Sequence, residues 1–264
     1  MKKFLTVALA GVLAASMLFT GCSKKAESKV PDKLIVGTNA EFPPFEYMND
    51  KKQPDGFDIA MIKEIGKRMG KKVEIKNMEF KSLIGAMESD SINAIIAGMT
   101  KTEKREKAVD FSDSYYTTNQ AIILKKDSKI TKLAQLDGKK IGVQEGTTGD
   151  LISSGDKFGD GKKAKVLVKG AKVKRFKKGV DAVMDLKNGS VDAVVIDELT
   201  ANEFVKKNAK KLKIVIDSAG SEYYCIALTK GNTAYKEEVN KQIKAIKEDG
   251  TYDKLKAKYI DSKN

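Results

Sequence analysis

A two-lobed α/β fold is what this sequence predicts, and three observations carry the prediction. "KLIVGTNAEF" (33–42) and "KIGVQEGTTG" (140–149) are each a short β-type run ending in a polar loop that bears glycine or threonine. "SINAIIAGMT" (91–100) and "SVDAVVIDELT" (190–200) share the order serine, aliphatic, Asn or Asp, alanine, aliphatics, and each follows a helical pattern, "SLIGAMESD" and "DAVMDLKNG". The chain has 264 residues of which 41% are hydrophobic, room for two domains of about 100–130 residues with real cores. In two similar α/β units the loops at the strand carboxyl ends form the functional edge.

The elements follow in order. "MKKFLTVALAGVLAASMLFTGC" places Lys2 and Lys3 before an apolar stretch from 4 to 19, then small residues before Cys22. This is a secretory signal peptide over 1–21, too short in its apolar part to span a membrane. The cysteine after Thr20-Gly21 resembles the bacterial lipobox, with Phe19 where that motif usually has leucine, so Cys22 is expected to carry lipid. Residues 22–32 are polar and aperiodic, a tether reaching about 18 Å as a random coil. "GFDIAMIKEIGKRMG" (56–70) reads as an amphipathic helix with Ile59, Ile62, Ile65 and Met69 on one face and Gly70 as its stop. "VEIKNMEF" and "AIILKK" supply further strands. After "EYYCIALTK" (222–230) come two helical patterns, "AYKEEVNKQIKAIKEDG" and "TYDKLKAKYI", with no counterpart in the first hundred residues. They are expected to return to the first lobe, so that the chain crosses between lobes twice.

Composition narrows the chemistry. The chain has no histidine and no tryptophan, which removes Ser-His-Asp and Cys-His catalysis and most zinc chemistry. The formal charge is +14, with Lys2 and Lys3 in the leader. The lysines are scattered and no RNP-like motif, zinc finger or basic arm is present, so the surplus reads as a solvated basic surface near an anionic envelope rather than a nucleic-acid site. Cys225 is the only cysteine beside Cys22 and sits in the apolar run "YYCIAL"; it reads as a small buried residue, not half of a disulfide.

"IIAGMTKTEKREKAV" (95–109) turns abruptly from apolar to charged. Thr102 fits an N-cap, and Lys104 and Arg105 then fall in a first helical turn, where cations are disfavoured by about 0.3–1 kcal/mol each. An anion there would offset the mismatch. Gly98 permits close approach, Thr100 offers a hydroxyl, and Arg105 offers a planar fork suited to a carboxylate. At the matching strand-to-helix turn of the second half stand Gly146, Thr147 and Thr148, and Asp197 ends the "VDAVVID" strand, where it can hold an ammonium group or cap the next helix. Together these are donors for one carboxylate and an acceptor for one amine, the head of an α-amino acid. Phe42 precedes Pro43-Pro44, which are expected to hold their loop extended. Phe80 is expected to end a strand, while Phe45 reads as core. A guanidinium sandwiched between two such rings gains about 0.5–2 kcal/mol.

At "GTNAEFPPFEY", "GFDIAMIKEI", "AGMTKTEKR…VDFSDSYY", "GVQEGTTG", "DAVVIDE" and "EDGTYDKLKAKY" the chain resembles the polar amino-acid-binding family of solute-binding proteins that serve ABC importers. The resemblance implies a two-lobed periplasmic-binding-protein-like fold with two hinge strands near 116–120 and 218–223, lobe 1 being 33–117 plus 221–264 and lobe 2 being 118–220. It implies that Arg105 pairs with a ligand α-carboxylate, assisted by Thr100 and the Thr148 backbone, and that Asp197 and the Gly98 carbonyl take the α-ammonium. Met99 and Thr147 belong to the same set. Phe42 and Phe80 would flank the side chain, with Asn39, Glu41, Gln144 and Glu145 near its far end. Several basic-amino-acid binders of the family have aspartate where Asn39 stands, a departure that Glu41 or Glu145 would have to offset. The function implied is a lipid-anchored, monomeric receptor on the extracytoplasmic face of a bacterial membrane. It delivers a polar amino acid, arginine first, to permease and ATPase subunits, without cofactor or metal. A glutamine- or cystine-type binder is the near alternative. More distant are a dehydratase using Glu41 and Glu145 as acid and base, or a sensor on the same scaffold.

Overall fold

The structure is a computed structural model and describes residues 29–158, 165–206 and 208–261. The leader, Cys22 and all of the tether before residue 29 lie outside the described residues. Thirteen strands and eight α-helices are formed among those described.

The two sequence repeats become two halves of one eight-stranded sheet. In the first half, β1 (Lys33–Thr38) lies parallel between β5 (Lys72–Asn77) and β6 (Ala94–Ile95). In the second, β8 (Lys140–Gln144) lies parallel between β11 (Lys172–Phe176) and β12 (Ala193–Asp197). Thus "KLIVGT" and "KIGVQ" hold equivalent central places, and the "NAII" and "DAVV" strands hold equivalent flanking ones. Parallel strands need helical crossovers. α1 (Phe57–Arg68) and α2 (Leu83–Glu88) serve the first half, α4 (Thr148–Ser153) and α5 (Gly179–Asn188) the second.

Two long strands join the halves. β7 (Val109–Lys125) and β13 (Leu212–Thr229) run antiparallel along most of their lengths. β7 pairs with β12 of the second half, and β13 pairs with β6 of the first. The register of β7 against β13 slips between Asp217 and Ser221, on the stretch where both strands pass from one half to the other. Strand order is β11-β8-β12-β7-β13-β6-β1-β5. α6 (Glu198–Lys206) follows β12 and packs on β7 and β13.

The two terminal helices, α7 (Thr233–Glu248) and α8 (Thr251–Tyr259), pack on α1. Arg68 at the end of α1 reaches Asp249 at 2.7 Å, and the Tyr252 hydroxyl donates to the Tyr115 carbonyl of β7 at 2.8 Å. α1 buries Phe57, Ile59, Met61, Ile62 and Ile65 and stops at Gly70, as its periodicity predicts. Asp58 in its first turn and Lys67 and Arg68 in its last suit the helix dipole. Its N-cap is Gly56 at φ +125°, where a Cβ would lie 2.3 Å from the Phe45 carbonyl oxygen, so only glycine fits.

One apolar cluster runs under both halves, from Leu34, Phe45 and Ile62 through Tyr115 and Tyr224 to Val183 and Leu186. Phe45 is fully buried, as predicted, and Cys225 is buried and free; burial pushes its thiol pKa up to about 11. Two local readings need correction. The Pro43-Pro44 loop turns back instead of extending, because β2 (Glu41–Phe42) pairs with β3 (Glu46–Met48), which in turn pairs with β4 (Pro54–Asp55). Phe80 does not end β5, which stops at Asn77. It opens a 3-10 turn over Phe80–Ser82 that leads into α2.

Candidate functional site

The halves meet along a crevice lined by the loops after β1, β6, β8 and β12. It is nearly closed, and it is lined by Asn39, Phe42, Phe80, Ala97, Gly98, Arg105, Gln144, Thr147, Thr148 and Asp197. All but Ala97 are residues singled out above.

Arg105 anchors one wall. It lies in the single turn of α3 (Glu103–Glu106), whose N-cap Thr102 accepts a hydrogen bond from the Arg105 backbone N–H. Its side chain turns inward and is 8% exposed. The guanidinium donates to the Thr100 carbonyl and, at 3.0 Å, to the Gly146 carbonyl of the other half. Its central carbon lies 5.3 Å from the Phe80 ring centroid, a cation–π contact. Burial lowers the Arg105 pKa to about 10, opposed by the charges of Glu222 and Asp197. It therefore stays cationic at neutral pH, with part of its five-donor fork still unspent.

Asp197 ends β12 at the opposite wall and is 4% exposed. It accepts from the Gln120 side-chain amide at 2.7 Å and from the Tyr224 hydroxyl. Burial, with the charge of Glu222 next, pushes its carboxyl well above the usual range. An ammonium group at this wall would relieve that penalty. Gly98 sits at φ +51°, and a Cβ there would meet the Phe42 ring at 3.1 Å; glycine lets the ring close over the strand end. Phe42 in turn stacks on Phe45 at 6.2 Å between centroids.

The far end is made of amides. The Gln144 amide donates across the crevice to Asn39 Oδ1 at 2.8 Å and to the Lys177 carbonyl at 3.2 Å, while Asn39 donates to the Met78 carbonyl at 2.8 Å. Glu41 and Glu145 are not in this lining. Glu41 pairs with Lys178 at 2.7 Å and Glu145 with Lys81 at 3.0 Å. A third pair, Glu79 with Lys177 at 2.6 Å, completes a ring of ion pairs that cross the mouth from one half to the other. The lysine lowers the Glu79 pKa and the glutamate raises that of Lys177, each chiefly through their hydrogen bond. Met99, between Gly98 and Thr100, turns away from the crevice and is fully buried among Phe80, Leu83 and Met87.

Thr147 is the N-cap of α4: its hydroxyl accepts from the Asp150 N–H and donates to the Gln144 carbonyl at 2.8 Å. The hydroxyls of Thr100 and Thr148 are already engaged. Both donate to the carboxylate of Glu222, the second of them at 2.8 Å. Glu222 also accepts from Gln120. Neither Glu222 nor Gln120 was singled out in the sequence. Both are polar residues within long hinge strands, where alternation puts Glu222 and Tyr224 on one face. A carboxylate two places before a tyrosine in an apolar run was the available signal.

Behind Gly98 lies a second buried acid pair. Asp58 accepts from the Gly98 N–H at 2.8 Å and the Tyr115 hydroxyl at 2.7 Å, and burial raises its pKa to about 6. Glu46 is fully buried beside Asp58, and burial, then the charge of Asp58 and a hydrogen bond shared with it, raises its pKa well above the usual value. No group of potential metal ligands is present among the described residues.

Known proteins resemble this chain over most of its length. Residues 34–262 match the profile of the bacterial extracellular solute-binding proteins, family 3. The chain is 34% identical over 266 aligned positions to the arginine-binding extracellular protein ArtP of Bacillus subtilis, covering 98% of each chain. Among solved structures, an ancestral arginine-binding protein bound to arginine is similar with a TM-score of 0.76 and 40% identity, over 88% of this chain and 100% of that one. The ancestral protein bound to glutamine is similar with a TM-score of 0.76 and 41% identity, over 88% and 99%.

Proposed function

The chain belongs to the bacterial extracellular solute-binding proteins, family 3, and from that premise we propose that it captures arginine or another basic amino acid. The family role is plain: a two-lobed amino-acid-binding component of an ABC transporter, extracytoplasmic and not an enzyme.

The observation that carries it is the joint burial of Arg105 and Asp197 on facing walls of one crevice, between Phe42 and Phe80. Arg105 would take the α-carboxylate with the Thr148 backbone, Asp197 and the Gly98 carbonyl the α-ammonium, and the two rings the side chain. Charge favours a basic side chain. The buried site holds one cation, Arg105, against Asp197 and Glu222, while the three ion pairs at the mouth neutralise themselves. With both acids ionised, a zwitterion leaves one negative charge over and a cationic ligand removes it. In favour of a neutral amide stand the Asn39–Gln144 pair at the far end and the ancestral relative's binding of glutamine.

Lobe 1 as 33–117 plus 221–264 and lobe 2 as 118–220 accord with the exchange of pairing along β7 and β13. Anchoring through a lipid on Cys22 rests on the sequence motif. No described helix is long and apolar enough to cross a membrane. Calorimetry with L-arginine, L-lysine, L-histidine, L-glutamine and L-cystine tests the ligand. Affinity for arginine or lysine at least tenfold above glutamine is expected. Binding of no common amino acid below about millimolar, weaker than about −4 kcal/mol, would sink the reading.

A further inference from the structure

We infer that Glu222 is a positioning residue for ligand capture: its carboxylate holds one hydroxyl from each lobe and so favours the closed arrangement that completes the site. The inference rests on the amino-acid-capture reading.

The geometry is specific. Glu222 stands on β13 just past the register slip, where the strand passes between halves, and is 1% exposed. One of its oxygens accepts from Thr100, at the end of the first half's β6 loop, and from Thr148, the first residue of α4 in the second half. Its other oxygen accepts from Gln120 of β7, whose amide also donates to Asp197. The carboxylate therefore touches both lobes and the other hinge strand at once. It does not line the open space of the crevice, so it acts on the ligand through Thr100, Thr148 and Arg105 rather than by contact. These are charge-assisted bonds in a site closed to water, stronger than bonds between neutral groups.

When the lobes part, Thr100 and Thr148 separate, and one carboxylate oxygen cannot follow both. Closing thus gains a hydrogen bond at Glu222 before any ligand contact is counted. Held this way, the Thr148 and Thr100 backbones stay in register with Arg105, whose guanidinium already spans from the Thr100 carbonyl to the Gly146 carbonyl. An amide in place of the carboxylate keeps the shape. It offers one acceptor oxygen instead of two, so either the Gln120 donor or the pair of hydroxyl donors loses its acceptor.

The test uses the full chain with Glu222→Gln, Thr148→Val and the double variant. Calorimetry with L-arginine reads affinity, and small-angle scattering of the ligand-free protein reads the open–closed balance. Each single variant is expected to weaken binding about tenfold and to enlarge the ligand-free radius of gyration, and the double variant to be no weaker than either single one. Binding by Glu222→Gln within twofold of the parent, losses that multiply, or tighter binding (the sign of a carboxylate that competes with the ligand) overturns the inference. If the parent binds none of the common amino acids, the capture reading fails by itself. The scattering comparison then still decides whether Glu222 closes the lobes.

Discussion

Replacing Arg105 by alanine perturbs the site at its most expensive point. The guanidinium is 8% exposed, donates to the Thr100 and Gly146 carbonyls and stacks on Phe80. Burial has already lowered its pKa to about 10, so the ligand-free protein holds a cation whose desolvation is only partly offset by Glu222 and Asp197. A ligand carboxylate would give the fork a direct ionic partner, where it now meets only the carbonyls of Thr100 and Gly146. Removing one member of a buried charge pair typically costs about 2–5 kcal/mol in binding. At about 1.4 kcal/mol per decade that is a loss of about 30-fold to 4,000-fold in the affinity for L-arginine. The upper part of the range is expected, because the variant also loses the donor that ties the Gly146 loop to the other lobe. Arg105→Lys keeps the charge without the fork and should fall between. Ligand-free thermal stability should move little, since losing two hydrogen bonds is set against no longer burying a cation. The assay is calorimetry of L-arginine at fixed ionic strength. A loss below threefold for Arg105→Ala would refute the assignment of the α-carboxylate to this residue.

Further outcomes are expected. Asp197→Asn keeps the bonds from Tyr224 or Gln120 but removes the charge facing the ligand ammonium, and should weaken L-arginine binding at least tenfold in the same assay. Gly98→Ala should lower both affinity and the melting temperature, since a Cβ at φ +51° would press on the Phe42 ring. The ion pairs at the mouth should make closure salt-sensitive. The Lys177→Ala, Lys178→Ala double variant should bind about threefold more weakly at low ionic strength and match the parent near 1 M salt, where screening acts within about 3 Å. For the acid pair behind Gly98, both folded-state pKa values lie above the unfolded ones, so the folded state binds more protons and stability falls as pH rises. For Asp58 the fall spans its unfolded value of about 4 to its folded value of about 6. Glu46→Gln, which stands in for the protonated acid, should therefore melt close to the parent near pH 4 and above it at pH 7.5; equal melting at both values would remove the pair from the account.

The sequence made legible what depends on period and repetition. α1 shows its apolar stripe, first-turn acid and glycine stop in the residues themselves, and "SINAII" and "SVDAVV" hold matching places in the sheet. Arg105, Asp197, Gly98 and Thr148 were found because loops at strand ends are where an α/β unit presents polar groups. What stayed hidden depends on distance along the chain. β2, β3 and β4 are two or three residues each, too short for an alternation to register, so the turn after Phe42 was invisible. Glu41 and Glu145 looked available as ligand acids because nothing local announces that Lys178 and Lys81 arrive from the opposite lobe. Glu222 was passed over for the same reason. Its partners Thr100, Gln120 and Thr148 are each at least 74 positions away.

The exchange of β7 and β13 between halves sets the order in which the protein can be finished. β6 lies against a strand that is made more than a hundred residues later, and α1 waits for α7 and α8 at the end of the chain. A nascent polypeptide therefore completes its first lobe last. Truncation of α7 and α8 would therefore strip cover from α1 of the first lobe, far back in the chain, rather than from the second lobe that precedes them.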